Sequence, residues 1–281
     1  MMKPIRIFWI VLAIAGMAMP TEQGQAQPAS VRAYDSYRKL QSSFSLGEKL
    51  TYLAHYGFIN AGRGVVSLDG SLHTRNGRSC YKVDIDAKTV GMFALGVKVK
   101  DTWRSYIDKD AIMPHEFYRN ISENKYKLEE TSYFRQAQQG GQVRVKANKK
   151  GNESTQTYDI PLYTQDMVSG YYYLRTLDFA KMKVGDIIKM DTFFEDELYD
   201  FQVRFLGREV LKTKFGKINA FVMSPVMPEN SLFDGEDAIR IWVSDDRNRV
   251  PLKVSAKMFV GAFEIELTEH EGLAHDFSWA N

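Results

Sequence analysis

A nucleophilic serine, cysteine or threonine needs a base within reach, and the sequence offers no convincing setting for one. Met167-Val168-Ser169-Gly170 lacks the leading glycine of a Gly-x-Ser-x-Gly elbow and falls in a predicted helix, where Ser169 reads as a small helical residue. The histidines are His55, His73, His115, His270 and His275. His270 and His275 stand five apart beside Glu271 and Asp276. Helical metal pairs prefer a spacing of four, so the segment reads as a frayed tail, and no metal or cofactor is expected. His55 sits on the wetter side of its strand. Glycoside hydrolysis needs two carboxylates across a cleft. Glu195-Asp196-Glu197, Asp234 with Glu236 and Asp237, and Asp245-Asp246 all fall at expected turns, where solvated acids gather. Asp108 and Asp246 are different, because they follow Trp103 and Trp242 at similar distances. They are either a duplicated acidic pair lining a groove or one structural corner used twice.

These residues must be carried by strands. From about residue 48 onward apolar side chains alternate with polar ones: Tyr52, Ala54, Tyr56, Phe58; Val97, Val99, Trp103; Tyr199, Phe201, Val203, Phe205; Leu252, Val254, Ala256, Met258. The opposite faces carry Lys, Arg, Asp and Glu, as antiparallel strands with one wet side require. Asn76-Gly77, Gly140-Gly141 and Asp234-Gly235 mark turns. One helix is predicted over 165–177, where Met167, Tyr171 and Leu174 keep helical spacing behind Asp166. Cys80 begins a strand on the polar face with Lys82, Asp84 and Asp86. Arg144, Lys146, Lys149 and Lys150 make a basic hairpin tip.

A longer period runs through the strands. Gly47 and Gly185, Gly77 and Gly216, Gly96 and Gly235, Trp103 and Trp242, Pro114 and Pro251, and Leu128 and Leu267 stand 137–139 residues apart. The expectation is a mostly β protein: an antiparallel meander of two similar halves, 47–135 and 185–271, forming a curved sheet or a sandwich-like pair. The connector 136–184 would hold an extra hairpin and the helix. Either half alone would expose its apolar face, so one cooperative domain is expected.

Lys3 and Arg6 precede an apolar run, 7–19, that suits the core of a secretory signal better than a bilayer span. Gly24 and Ala26 place cleavage after Ala26, followed by a polar lead-in over 27–45. No cysteine at the cut offers a lipid anchor, and no later segment approaches a membrane span. An exported protein follows, periplasmic in a Gram-negative cell. A net charge of only +2 argues against a dedicated nucleic-acid binder, and a single cysteine excludes a disulfide framework.

Several landmarks resemble the DUF3108 family of exported bacterial proteins of unknown function. They are Gly47-Glu48-Lys49-Leu50-Thr51-Tyr52 with Ala61-Gly62; Asp166-Met167-Val168-Ser169 running into Tyr171-Tyr172-Tyr173-Leu174-Arg175; Val184-Gly185-Asp186; Gly207-Arg208-Glu209; and Ile241-Trp242-Val243-Ser244-Asp245-Asp246 leading to Val250-Pro251-Leu252. Together they span about 46–272, leaving 273–281 as a tail. The resemblance implies an exported, β-rich protein and supplies neither an activity nor catalytic residues. In architecture alone it is similar to the curved half-barrels of periplasmic lipoprotein carriers. The leading expectation is a non-catalytic envelope protein that binds an amphiphilic lipid or a glycan, or assists envelope assembly. Trp103, Trp242 and Tyr172 would face the ligand, and Arg175 would pair an acidic group. The alternatives are an envelope polysaccharide or lipid hydrolase using Asp108 and Asp246, and a structural scaffold for protein partners.

Overall fold

The computed structural model describes residues 42–137, 140–226, 237–258 and 261–280. The signal segment, most of the lead-in and the Asp234-Gly235 turn lie outside them. The elements run β1 (Lys49–Tyr56), β2 (Ile59–Leu68), β3 (His73–Arg75), β4 (Arg78–Thr89), α1 (Phe93–Gly96), β5 (Lys100–Asp108), β6 (Pro114–Glu123), β7 (Tyr126–Ala137), β8 (Gly140–Lys149), β9 (Asn152–Ile160), α2 (Met167–Leu174), a 3-10 turn (Phe179–Lys181), β10 (Ile187–Phe194), β11 (Glu197–Thr213), β12 (Gly216–Pro225), β13 (Ile239–Ser244), β14 (Pro251–Lys257) and β15 (Ala262–Glu271).

All strands join one antiparallel sheet in the order β10-β11-β12-β13-β14-β15-β1-β2-β4-β5-β6-β7-β8-β9, with β3 beside β4. The meander is therefore cyclic. The first strand pairs with the last, Lys49 opposite Glu271 and Tyr56 opposite Phe263, and the break falls in mid-chain between β9 and β10. At that seam Gln165 runs parallel to β10, giving its N–H to Asp191 (2.8 Å) and accepting from Phe193 N–H (2.8 Å). Tyr158 and Phe134 meet Phe193 across it. The result is a nearly closed, barrel-like sheet. This corrects the sandwich-like expectation: a sheet that curls onto itself covers its own apolar face and needs no second sheet.

Inner and outer positions alternate as the sequence implies. Leu50, Val66, Val83, Trp103 and Phe117 are buried, while Asp84, Asp86, Lys88, Arg104, Glu264 and Glu266 point outward. A wall this charged does not face lipid. Asn76 and Gly77, both at positive φ, form the tight turn before β4 that their pairing predicts. The described residues hold a second helix, α1, which the sequence did not signal because one turn carries too little periodicity.

The two rims differ. At one, here called the plug rim, α2 enters the barrel with Val168, Ser169, Gly170, Tyr172 and Tyr173 buried. Lead-in residues, the β5–β6 and β13–β14 turns and the C-terminal segment close over it. The opposite tip rim carries the β1–β2 hairpin tip, α1, and the β6–β7, β8–β9 and β10–β11 tips. The main core surrounds α2. A smaller cluster of Ala54, Ala61, Ala238, Ile239, Ala256, Phe263 and Ile265 lies toward the tip rim.

One local expectation is corrected. The tail is docked, not frayed: Phe277 is buried, Asn219 N–H donates to Ser278 O (2.9 Å) and Ala280 N–H donates to Lys217 O (2.9 Å). His270 lies between Phe215 and Phe277, and burial lowers its pKa. Cys80 is fully buried between His73 and Asp108 on the neighbouring strands. Burial pushes its thiol up to about 11, which keeps it protonated and inert.

Candidate functional site

The plug begins with Asp166. Its Oδ1 accepts from Val168 N–H and Ser169 N–H (2.7 Å each), while Ser169 Oγ accepts from Asp166 N–H, a reciprocal N-cap. Ser105 Oγ in β5 donates to Oδ2 (2.6 Å), pinning the cap to the opposite wall. Burial raises this carboxyl to about 6, although these donors favour its charged form.

Arg175, just past α2, is 2% exposed. Its guanidinium makes two bonds to Glu48 (Nη1 2.5 Å, Nη2 2.8 Å) and donates to Asn248 O (3.0 Å) and Ser43 O (3.0 Å). Burial works against its charge, but Glu48 outweighs burial and raises its pKa. The acidic partner foreseen for Arg175 is thus Glu48, the residue just before β1 of the same chain. Tyr172 is packed edge-on to Phe44, and burial drives its hydroxyl well above the usual phenol range. Both residues clamp the plug rim.

Trp103 and Trp242 are buried on β5 and β13, with five strands between them in the sheet order. Trp242 Nε1 donates to Glu209. Trp103 lies in a cross-strand row with Ile85, Arg119 and Glu130. Arg119 bonds Glu130 twice (2.8 and 2.9 Å) and reaches Glu195 from the β10–β11 tip (3.3 Å).

Asp108 and Asp246 do the same job in separate turns. Asp108 Oδ1 accepts the N–H groups of Asp110 and Ala111 (2.9 Å each), and its Oδ2 accepts from Arg78 Nε (2.8 Å). Burial alone would raise its pKa, but Arg78, the turn N–H groups and His115 together hold it well below the usual carboxylate range. Asp246 Oδ1 accepts from Asn248 N–H (2.8 Å), Arg249 N–H (3.3 Å) and Ser244 Oγ (2.9 Å), and Oδ2 from Ser278 N–H (3.1 Å). Ile112 and Arg249, near the ends of the two turns, both take positive φ. Each carboxylate is thus engaged within its own turn.

A recess was not foreseen. Tyr52, Ala54, Gly64, Val66, Ile85, Ala87 and Ile265 surround a small space of about 20 Å³ with no polar surface. Its cause is local: Ala54 sits opposite Ile265, and Gly64 opposite Ala87, so short side chains line adjacent inner positions of neighbouring strands. The recess lies between the main core and the small cluster at the tip rim. Next to it, Asp101 is the cross-strand partner of Ala87. Asp101 is 1% exposed, accepts from Ser122 N–H (2.6 Å) through Oδ1, and has a buried Oδ2 without a partner. Burial pushes its carboxyl up to about 7. An alanine at an inner position was the available signal, but only strand register shows that two short residues adjoin.

On the outer wall His55, Glu264 and Glu266 bring one donor atom each within 4.8 Å of one another. His55 Nε2 stands 3.7 Å from each carboxylate, and Lys253 Nζ meets both on their other oxygens (2.8 and 3.0 Å). The lysine already supplies a cation here.

No curated protein matches the chain. Among solved structures, a β-barrel-like protein of a domain of unknown function, DUF1849, from Brucella abortus superposes with a TM-score of 0.54 at 13% identity, covering 83% of this chain and 100% of the other. That likeness concerns the fold alone. A putative lipoprotein from Parabacteroides distasonis (TM-score 0.33, 11% identity, 83% and 100% covered) and a hypothetical protein from Chlamydia trachomatis (0.36, 11%, 85% and 94%) align too loosely to support an argument. The model of the family described as "Protein of unknown function (DUF3108)" matches residues 51–268, the span of β1 to β15, and the chain belongs to that family.

Proposed function

We propose that this chain is a non-catalytic, exported envelope protein that binds an amphiphilic, lipid-type ligand inside the tip-rim half of the barrel. The observation that carries this reading is the wholly apolar recess floored by Ala54, Gly64 and Ala87. It adjoins a cluster of small apolar side chains toward the rim. An acyl chain would enter by spreading those side chains, and Asp101 would offer a polar group beside it. Trp103, one strand from Ile85, would flank the chain. Tyr172, Arg175 and Trp242 would support the wall and plug without touching ligand. Asp108 and Asp246 are each committed to their own turns, which favours binding over hydrolysis.

The two-half reading belongs to the same proposal. An offset of 138 brings β1, β2 and β4 onto β10, β11 and β12, and β5, β6 and β7 onto β13, β14 and β15. The duplicated Asp corners support it, and the recess would lie beside the junction of the halves, at β15–β1.

Native mass spectrometry on protein purified gently from a bacterial envelope tests the ligand. An acyl lipid carried by the wild type and lost in Ala87→Leu, with thermal stability retained, is expected. A bare wild-type chain would overturn the reading.

A further inference from the structure

We infer that the tip rim docks the protein on an anionic membrane surface, with Phe58 and α1 entering the interface and a row of basic side chains meeting the headgroups. This surface lies on the outside of the rim and is independent of whatever the interior binds.

The two most exposed large apolar side chains among the described residues, Phe58 at 96% and Leu95 at 86%, both lie at this rim. They are neighbours through their elements. Val90 N–H donates to Ala61 O (3.1 Å), and a Cβ on Gly91 would come within 3.1 Å of Asn60 O, so α1 rests against the start of β2, beside the tip that carries Phe58. Met92 and Phe93 are exposed on the same turn. Large apolar side chains are costly to leave in water at a hairpin tip and a one-turn helix, where they contribute nothing to the core.

Beside α1 the outer face is basic; the acids of this rim lie on other strands, Glu264 and Glu266 already met by Lys253 and Glu195-Asp196-Glu197 at the β10–β11 tip. Arg63 stands opposite Lys88, and Lys88 opposite Lys100, which puts three cations in a row across β2, β4 and β5 on the outer face below α1. Arg63 also meets Glu269 (3.4 Å). Lys88 and Lys100 have no carboxylate within 4 Å among the described residues, and Asp86, one step further along the face, accepts from Thr102 Oγ1 (2.6 Å). Like charges set directly opposite destabilise a sheet, and an anionic surface relieves that repulsion. Lys98, Lys125, Lys149 and Lys150 extend the exposed basic arc along the same rim. Apolar residues that enter the interface, flanked by lysines that reach phosphate, are the two components reversible membrane attachment requires. The charged wall keeps the barrel itself out of the bilayer. At the opposite rim Val210 is 53% exposed and serves as a control.

The test is co-sedimentation of the full chain, as the expressing cell accumulates it, with vesicles of phosphatidylcholine alone or mixed with phosphatidylglycerol. Any leader is shared by all variants, so differences between them report on the rim. Binding to the anionic vesicles, weakened by salt, is expected. Phe58→Ser/Leu95→Ser should lower the partition coefficient at least tenfold, and Lys88→Glu/Lys100→Glu roughly thirtyfold. Val210→Ser should bind as wild type. All five positions are exposed, and circular dichroism confirms that the variants fold. Equal binding by wild type and the rim variants, equal binding to neutral vesicles, or no vesicle binding at all would each overturn the proposal.

Discussion

Arg175 illustrates how residue type and residue role can separate. Its charge suggested a ligand, yet its partner Glu48 is 127 positions away in sequence, and only the closed sheet brings the two together. Removing one member of a buried ion pair leaves the other uncompensated. Arg175→Met should therefore cost about 3–5 kcal/mol in urea unfolding. Arg175→Met/Glu48→Leu should cost clearly less, and equal losses would contradict the pairing. Asp101 gives the pH dependence. Its folded pKa, about 7, lies above the ordinary carboxylate value, so the folded state holds the proton more tightly. The stability it confers is full below about pH 4 and is lost as pH rises through 7. Asp166, at about 6, acts in the same direction. Asp101→Asn should match wild type near pH 4 and exceed it at pH 8, on the order of 1–3 kcal/mol by chemical denaturation. An unchanged pH profile would remove Asp101 from this account.

At the level of elements, alternation made the strands legible and Asp166 made the start of α2 legible. Both signals are local: period two for a half-wet strand, and a capping side chain for a helix. What escaped was set by neighbours. The tail looked frayed because its anchors, Asn219 and Lys217, belong to β12, and the recess was hidden because Ala54, Gly64 and Ala87 belong to three different strands. The cap offers a direct test. Asp166→Ala would orphan two backbone N–H groups and the Ser105 hydroxyl in the core. The expected loss is about 2–4 kcal/mol, with the near-UV signal of the buried tyrosines reduced. Gly272, just past β15 at the same rim, offers a second test: at φ +66, a Cβ would come within 2.8 Å of Gly47 O. Gly272→Ala should lower Tm where Gly57→Ala, at positive φ but with no atom nearby, does so less.

For the whole molecule, the β-rich class followed from the alternating apolar faces, and one cooperative domain is the expectation those faces carry. Closure did not, since it depends on which strands meet. The pairing of β1 with β15 means that neither half of the chain has a complete wall. Fragments 46–184 and 185–281 should each give poorly dispersed amide spectra alone and recover native dispersion when mixed. An independently folded fragment would contradict one cooperative unit. The same pairing governs birth order. As the ribosome releases the chain, β1 emerges long before β15 and presents a bare edge whose partner is still to be made. Every nascent intermediate up to that point carries a sticky β edge and a half-covered greasy face. This protein therefore has a long vulnerable interval during synthesis and places a standing demand on holding chaperones that its finished form conceals.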